Sequence, residues 1–146
     1  MITRSDLALW RGEAGDPDGA VAALEQILTD EVQVLGPDHP TTLITRYNLA
    51  SWRGEAGDLA GAVAASEQLL TDEVQVLGPD HPTTLITRSD LARWRGEAGD
   101  PASAVAAFEQ LLTDTIRVLG PDHPHTLITR NNLALWRDQL SERPPS

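Results

Sequence analysis

Three Asp-His-Pro triplets, at 38–40, 80–82 and 122–124, are the first residues in this sequence whose types could do chemistry. A carboxylate beside an imidazole can hold zinc, and His125 extends the third triplet to His123-x-His125 next to Asp122. Zinc needs three or four converging ligands, however, and one imidazole with one carboxylate per turn is too few. Capping and turn formation account for the triplets more simply, so no metal ligand is assigned. The segments Gly-Glu-Ala-Gly-Asp at 12–16, 54–58 and 96–100 resemble a phosphate-cradling loop only in their glycines. They lack the lysine and the preceding strand that such a loop requires, and they read as helix ends. No serine, histidine and acid form a constellation beyond what the repetition explains. Cysteine is absent, which removes thiolate nucleophiles, disulfides and cysteine-held metals together. The chain is therefore expected to be no enzyme, with no catalytic residue and no cofactor.

Charge narrows the partners. All 11 basic residues are arginine, and against 22 acids they leave a formal net charge of -11. Such a chain suits neither the phosphate backbone of nucleic acid nor, with no apolar run near ~20 residues, a membrane. The segment Met-Ile-Thr-Arg-Ser-Asp at the start lacks the apolar core of a signal peptide, so a cytoplasmic location is expected. Arginine without lysine points to a GC-rich, bacterial genome. Two ladders hold most of the arginines: Arg4, Arg46, Arg88 and Arg130, and Arg11, Arg53, Arg95 and Arg137. Pairing with acids of neighbouring helices is favoured for them, with stems covering apolar surface. The alternative is a cationic floor that selects an acidic ligand.

The elements that position these residues follow from the spacing of the tryptophans. Trp10, Trp52, Trp94 and Trp136 recur every 42 residues, which divides the chain into copies 3–44, 45–86 and 87–128 and a partial copy 129–140. The first two copies agree at 35 of 42 positions and the second and third at 32 of 42, so the array is real. Proline and glycine punctuation cuts each copy into two helices. Helix A is expected near 2–14, 40–56, 82–98 and 124–140, and helix B near 17–35, 59–77 and 101–119. Apolar residues recur at three and four along each, and nothing alternates with period two over more than a few residues. The tryptophans fall on the apolar stripe with Leu49 and Ala56, as core and not as a stacking platform for a ligand. One repeat array over 1–140 with a frayed tail at 141–146 is the expected domain organisation.

The run Leu-Gly-Pro-Asp-His-Pro-Thr-Thr-Leu at 77–85, followed by Asp-Leu-Ala at 90–92 and by Ala104, resembles the 42-residue tetratricopeptide repeat of kinesin light chains. Related arrays occur in bacterial signalling proteins. The resemblance implies an all-α, right-handed superhelical solenoid of antiparallel helix pairs, with seven helices and helix A lining the concave face. It departs from the family where Arg46 and Arg53 stand at positions that commonly carry an aromatic. The aromatic expected on helix B appears only as Phe108, against Leu24 and Ser66.

Such arrays bind peptides, so the expected function is a non-catalytic protein–protein interaction scaffold with a partner peptide in the groove. Three helix A positions differ among otherwise near-identical copies: Ser5, Tyr47, Ser89 and Asn131; Asp6, Asn48, Asp90 and Asn132; Leu9, Ser51, Arg93 and Leu135. The family places these in the groove, while neutral drift at solvent positions would also vary them. The residues assigned to the groove are Ile44, Tyr47, Asn48, Ser51, Ile86, Ser89, Asp90 and Arg93. The competing expectation is a self-associating homo-oligomer. There, a last helix A without its helix B would leave Leu127, Leu133, Ala134 and Trp136 uncovered.

Overall fold

The computed structural model describes residues 2–142. It contains α1 (Arg4–Glu13), α2 (Pro17–Leu35), α3 (Pro40–Glu55), α4 (Leu59–Leu77), α5 (Pro82–Glu97), α6 (Pro101–Leu119) and α7 (Pro124–Glu142), with no strand among the described residues. All three B helices have the expected bounds. The last helix runs through Ser141 and Glu142, so the first two residues of the expected tail are helical. Residues 143–146 of that tail lie outside the described residues.

Each boundary has a local cause. His39, His81 and His123 are the residues before the first turn, and their Nδ1 atoms accept the backbone N–H of Thr41, Thr83 and His125, each at 3.1 Å. The next residue is proline, whose fixed φ and missing N–H suit a first turn. Helix B starts on an aspartate: Asp16 and Asp58 each accept an N–H, from Gly19 and Gly61, at 2.9 Å. Helix A ends at a glycine in the left-handed region, as at Gly57 with φ 94°. Without the Gly-Pro-Asp-His-Pro lead, α1 begins two residues later than expected. Thr3 takes over as cap in a reciprocal pair with Asp6, both bonds at 3.0 Å. Its counterpart Thr45 sits inside a helix, buried, with its hydroxyl donating to the Thr41 carbonyl.

The chain forms two compact units, Met1–Val76 and Leu77–Ser146. In the first, α1 packs on α2 and α2 on α3, around Ala8, Leu24, Ile27 and Leu49 with Val21, Leu28 and Trp52 against them. In the second, α5 packs on α6 and α6 on α7, around Leu85, Ala92, Ala104, Phe108, Leu111 and Leu133. Leu24, Ser66 and Phe108 occupy one repeat position and are all buried, so the variation there is in core side chains.

Close approach of successive A helices depends on glycine. A Cβ built on Gly12 would lie 2.7 Å from the Trp52 ring, and one on Gly96 only 2.5 Å from the Trp136 ring. Trp94 is fully buried, but Trp10 is 51% exposed. The expectation of a uniformly buried tryptophan stripe therefore fails at Trp10, because no described A helix precedes α1 to offer it a glycine.

Alanine is favoured over glycine inside a helix by about 1 kcal/mol, yet Gly96→Ala places a methyl group against the indole. The expected result is a net loss of about 1–3 kcal/mol in urea unfolding. Trp136→Ala in the same chain should cancel the additional loss, and a raised midpoint for the single variant would contradict the packing described.

His125 replaces a threonine of the other copies, and its Nε2 is buried with no hydrogen-bond partner. Burial, then the nearby His123, holds its pKa below the ordinary histidine value, while Asp90 pulls the other way. A lowered pKa in the folded state means that this contribution is complete above the unfolded-state pKa. It is lost as pH falls through that value toward the folded one. Thermal midpoints are expected to fall more steeply between neutral and mildly acidic pH for the unaltered chain than for His125→Thr; equal slopes would contradict this.

Candidate functional site

The copy-variable positions lie on the A helices, and each unit presents its own set. In the first unit, α3 carries Ile44 exposed to solvent, with Tyr47, Asn48 and Ser51 half-buried. In the second, α5 carries Ile86 exposed and Asp90 and Arg93 half-buried. Ser89, expected in the groove, is only 9% exposed.

The second unit also shapes a groove of about 520 Å³ between α5 and α7, lined by Arg93, Gly96, Glu97, Asn132, Leu135, Trp136 and Gln139. Its geometry follows from the glycine seat. With Trp136 lying on Gly96, the two helices approach closely there, and the side chains at 93, 132 and 135 converge beside the contact. Arg93 is held twice: its Nε donates to Glu97 Oε1 at 3.2 Å, and its guanidinium lies 4.4 Å from the Trp94 ring centroid. Chemically the groove offers an amide, a fixed cation and an apolar floor from Leu135 and Trp136, with no nucleophile beside a base. Asn132, Leu135 and Gln139 are not among the residues that the sequence assigns to a groove. The signal for the first two is present there, since they stand at the same variable positions as Asn48 and Ser51.

Both arginine ladders engage acids. In the first, three of the four arginines meet the aspartate 26 residues on: Arg4 with Asp30 at 3.0 Å, Arg46 with Asp72 at 2.7 Å and Arg88 with Asp114 at 2.8 Å. In the second, Arg53 and Arg137 meet the glutamate 28 residues back, Glu25 at 3.5 Å and Glu109 at 3.3 Å. These pairs join A helices to neighbouring B helices. Outside the ladders, Arg117 donates to both carboxylate oxygens of Asp80, at 3.1 and 2.9 Å. That hydrogen bonding holds the Asp80 carboxyl below its usual pKa.

On the last helix, Leu127 is 42% exposed and Ala134 is also exposed, while Trp136 is half-buried on Gly96. Leu133 does not belong to the uncovered strip expected from sequence. It is 3% exposed, because its side of α7 faces α6 and the Phe108 cluster.

Residues 1–72 and residues 84–125 each match a sequence family described as Tetratricopeptide repeat. No curated protein sequence matches the chain. Among solved structures, a kinesin light chain candidate of Podosopora anserina with nearly identical TPR-like repeats superposes with a TM-score of 0.85 at 27% identity. The match covers 95% of this chain and 66% of that one. A single-substitution variant of the same protein gives 0.83 at 27% identity, over 95% and 67% of the two chains. BtubC (BKLC) from P. vanneervenii shares the fold at 18% identity with a TM-score of 0.80, over 95% of this chain and 55% of its own. The chain thus spans about two thirds or less of the length of these structures. Two matched stretches covering most of the helical copies, with a shared all-α solenoid fold, show that the chain belongs to the tetratricopeptide repeat family.

Proposed function

We propose that this protein-interaction scaffold takes a partner peptide along the groove between α5 and α7, with no catalysis of its own. The observation that carries the reading is the convergence of Arg93, Asn132 and Leu135, all at copy-variable positions, on one groove of about 520 Å³. A ligand that distinguishes the copies along their A helices would read these positions. The Asn132 amide can donate to a peptide carbonyl and accept from its N–H. Leu135 and Trp136 supply the apolar contact that fixes the peptide's side chains. Glu97 and the held Arg93 set polar ends. On α3, Ile44, Tyr47 and Asn48 present the same type of surface, and we extend the proposal to them as part of one array over 1–140. No described helix is long and apolar enough to cross a membrane, and the proposal places the scaffold in the cytoplasm.

A second reading rests on the exposed Leu127 and Ala134 of α7, whose counterpart Leu85 is buried in the cluster around Phe108. In that reading the chain dimerises through this strip. Sedimentation should then show a concentration-dependent dimer that Leu127→Asp abolishes. A monomer at all concentrations would exclude the dimer and leave the groove.

Peptides selected from a displayed library on the intact chain test the groove. Asn132→Ala combined with Leu135→Glu is expected to weaken the selected peptides by about tenfold or more, with the melting temperature unchanged because Leu135 is exposed. Selected peptides that bind the variant as well as the unaltered chain would contradict the proposal.

A further inference from the structure

Asn132 and Gln139 of α7 both line the groove between α5 and α7, and neither side-chain amide has a hydrogen-bond partner among the described residues. On the B helices, by contrast, Gln26, Gln68 and Gln110 each donate to the aspartate four residues on, at 3.3 Å. Leu135 and Trp136 lie between the two amides in sequence and form an apolar floor. Opposite them, Arg93 and Glu97 are paired with each other at 3.2 Å. One cation and one anion leave the groove itself without net charge. The open face is not peculiar to the last helix. On α3, which α4 follows, Asn48 and Trp52 are half-buried and Glu55 is exposed at the positions of Asn132, Trp136 and Gln139.

The spacing of the amides selects a ligand backbone. Seven residues of α-helix separate them by about 10.5 Å along α7. A helical ligand has its carbonyls bonded internally and leaves the amides nothing to read. In an extended strand, carbonyls facing one way recur at every second residue, about 6.7 or 13 Å apart, and miss that spacing. Polyproline II completes a turn in three residues, so its like-facing carbonyls recur every 9.3 Å or about that. The longer Gln139 side chain covers the remaining difference. This backbone makes no internal hydrogen bonds, so its carbonyls are open to Asn132 Nδ2 and Gln139 Nε2. Proline rings bring no charge to a groove that has none, and they pack well on an aromatic floor. An acidic peptide would instead meet the field of a chain of net charge -11. We propose that the groove between α5 and α7 takes a neutral, proline-rich segment of a partner protein in the polyproline II conformation. Asn132 and Gln139 donate to carbonyls three residues apart, over Leu135 and Trp136. This names the ligand class of the peptide groove and rests on that reading.

Fluorescently labelled decaproline is the probe, titrated against the intact chain beside a Gly-Ser repeat peptide of equal length. Decaproline is expected to bind saturably and about tenfold or more tighter than the Gly-Ser peptide, because its backbone is already ordered. Asn132→Ala combined with Gln139→Ala is expected to weaken decaproline by about tenfold. The melting temperature should stay unchanged, since neither amide bonds to the rest of the fold. Decaproline binding that both substitutions leave undiminished would overturn the proposal. So would absence of decaproline binding while library-selected peptides without proline still occupy the groove, and that result would leave the groove reading standing. If neither decaproline nor any selected peptide binds, both readings fall.

Discussion

In each unit an indole from one A helix lies on the glycine of the A helix before it, Trp52 on Gly12 and Trp136 on Gly96, at a separation that admits no side chain. This contact sets how near successive A helices come, and most other features follow from it. With the helices this close, a leucine from the intervening B helix reaches the leucine of the next A helix, as Leu28 reaches Leu49. A glycine inside a helix is unfavourable by about 1 kcal/mol relative to alanine, so its recurrence at 12, 54 and 96 is explained by packing where Trp52 and Trp136 meet it. The same proximity gathers the side chains at 93, 132 and 135 into one groove.

Electrostatics follows the same nearest-neighbour logic. α3 offers Arg46 to the B helix after it and Arg53 to the B helix before it, and Arg88 of α5 and Arg137 of α7 repeat these two offsets. A chain of net charge -11 thereby places its few cations where they join elements. An exposed pair such as Arg137–Glu109 stabilises by only about 0–1 kcal/mol, whereas Arg46–Asp72 and Arg88–Asp114 are half-buried between their helices.

Much of this architecture is legible in the residues. Gly-Pro and Gly-Asp punctuation places the B helices, since a glycine after the last turn and a proline or aspartate at the start act through local backbone geometry alone. What sequence does not place depends on neighbours. Thr3 and Thr45 are the same residue of the repeat, yet one caps a helix and the other is buried within it. Trp10 looks like the other three tryptophans and is half exposed, because the indole is covered by the glycine of a preceding A helix and none is among the described residues. Leu133 reads as part of an uncovered face since its helix is the last, but its side chain points back toward α6. Ser89 varies among copies like a ligand-facing residue and proves to be buried. Variation among copies marks the α5 side of the groove through Arg93. Asn132 and Leu135 carry the same signal on α7, at the positions of Asn48 and Ser51.

The most direct test of the central claim compares two leucines in nearly identical sequence surroundings. Leu49 has a preceding B helix packed on it and Leu7 has none among the described residues. Leu49→Ala is expected to lower unfolding free energy in urea by about 2–5 kcal/mol, as a buried leucine should. Leu7→Ala is expected to cost less than about 1 kcal/mol, as for a surface position. Equal losses at the two positions would contradict the account, because they would show that the neighbouring helix contributes nothing to burying the repeat.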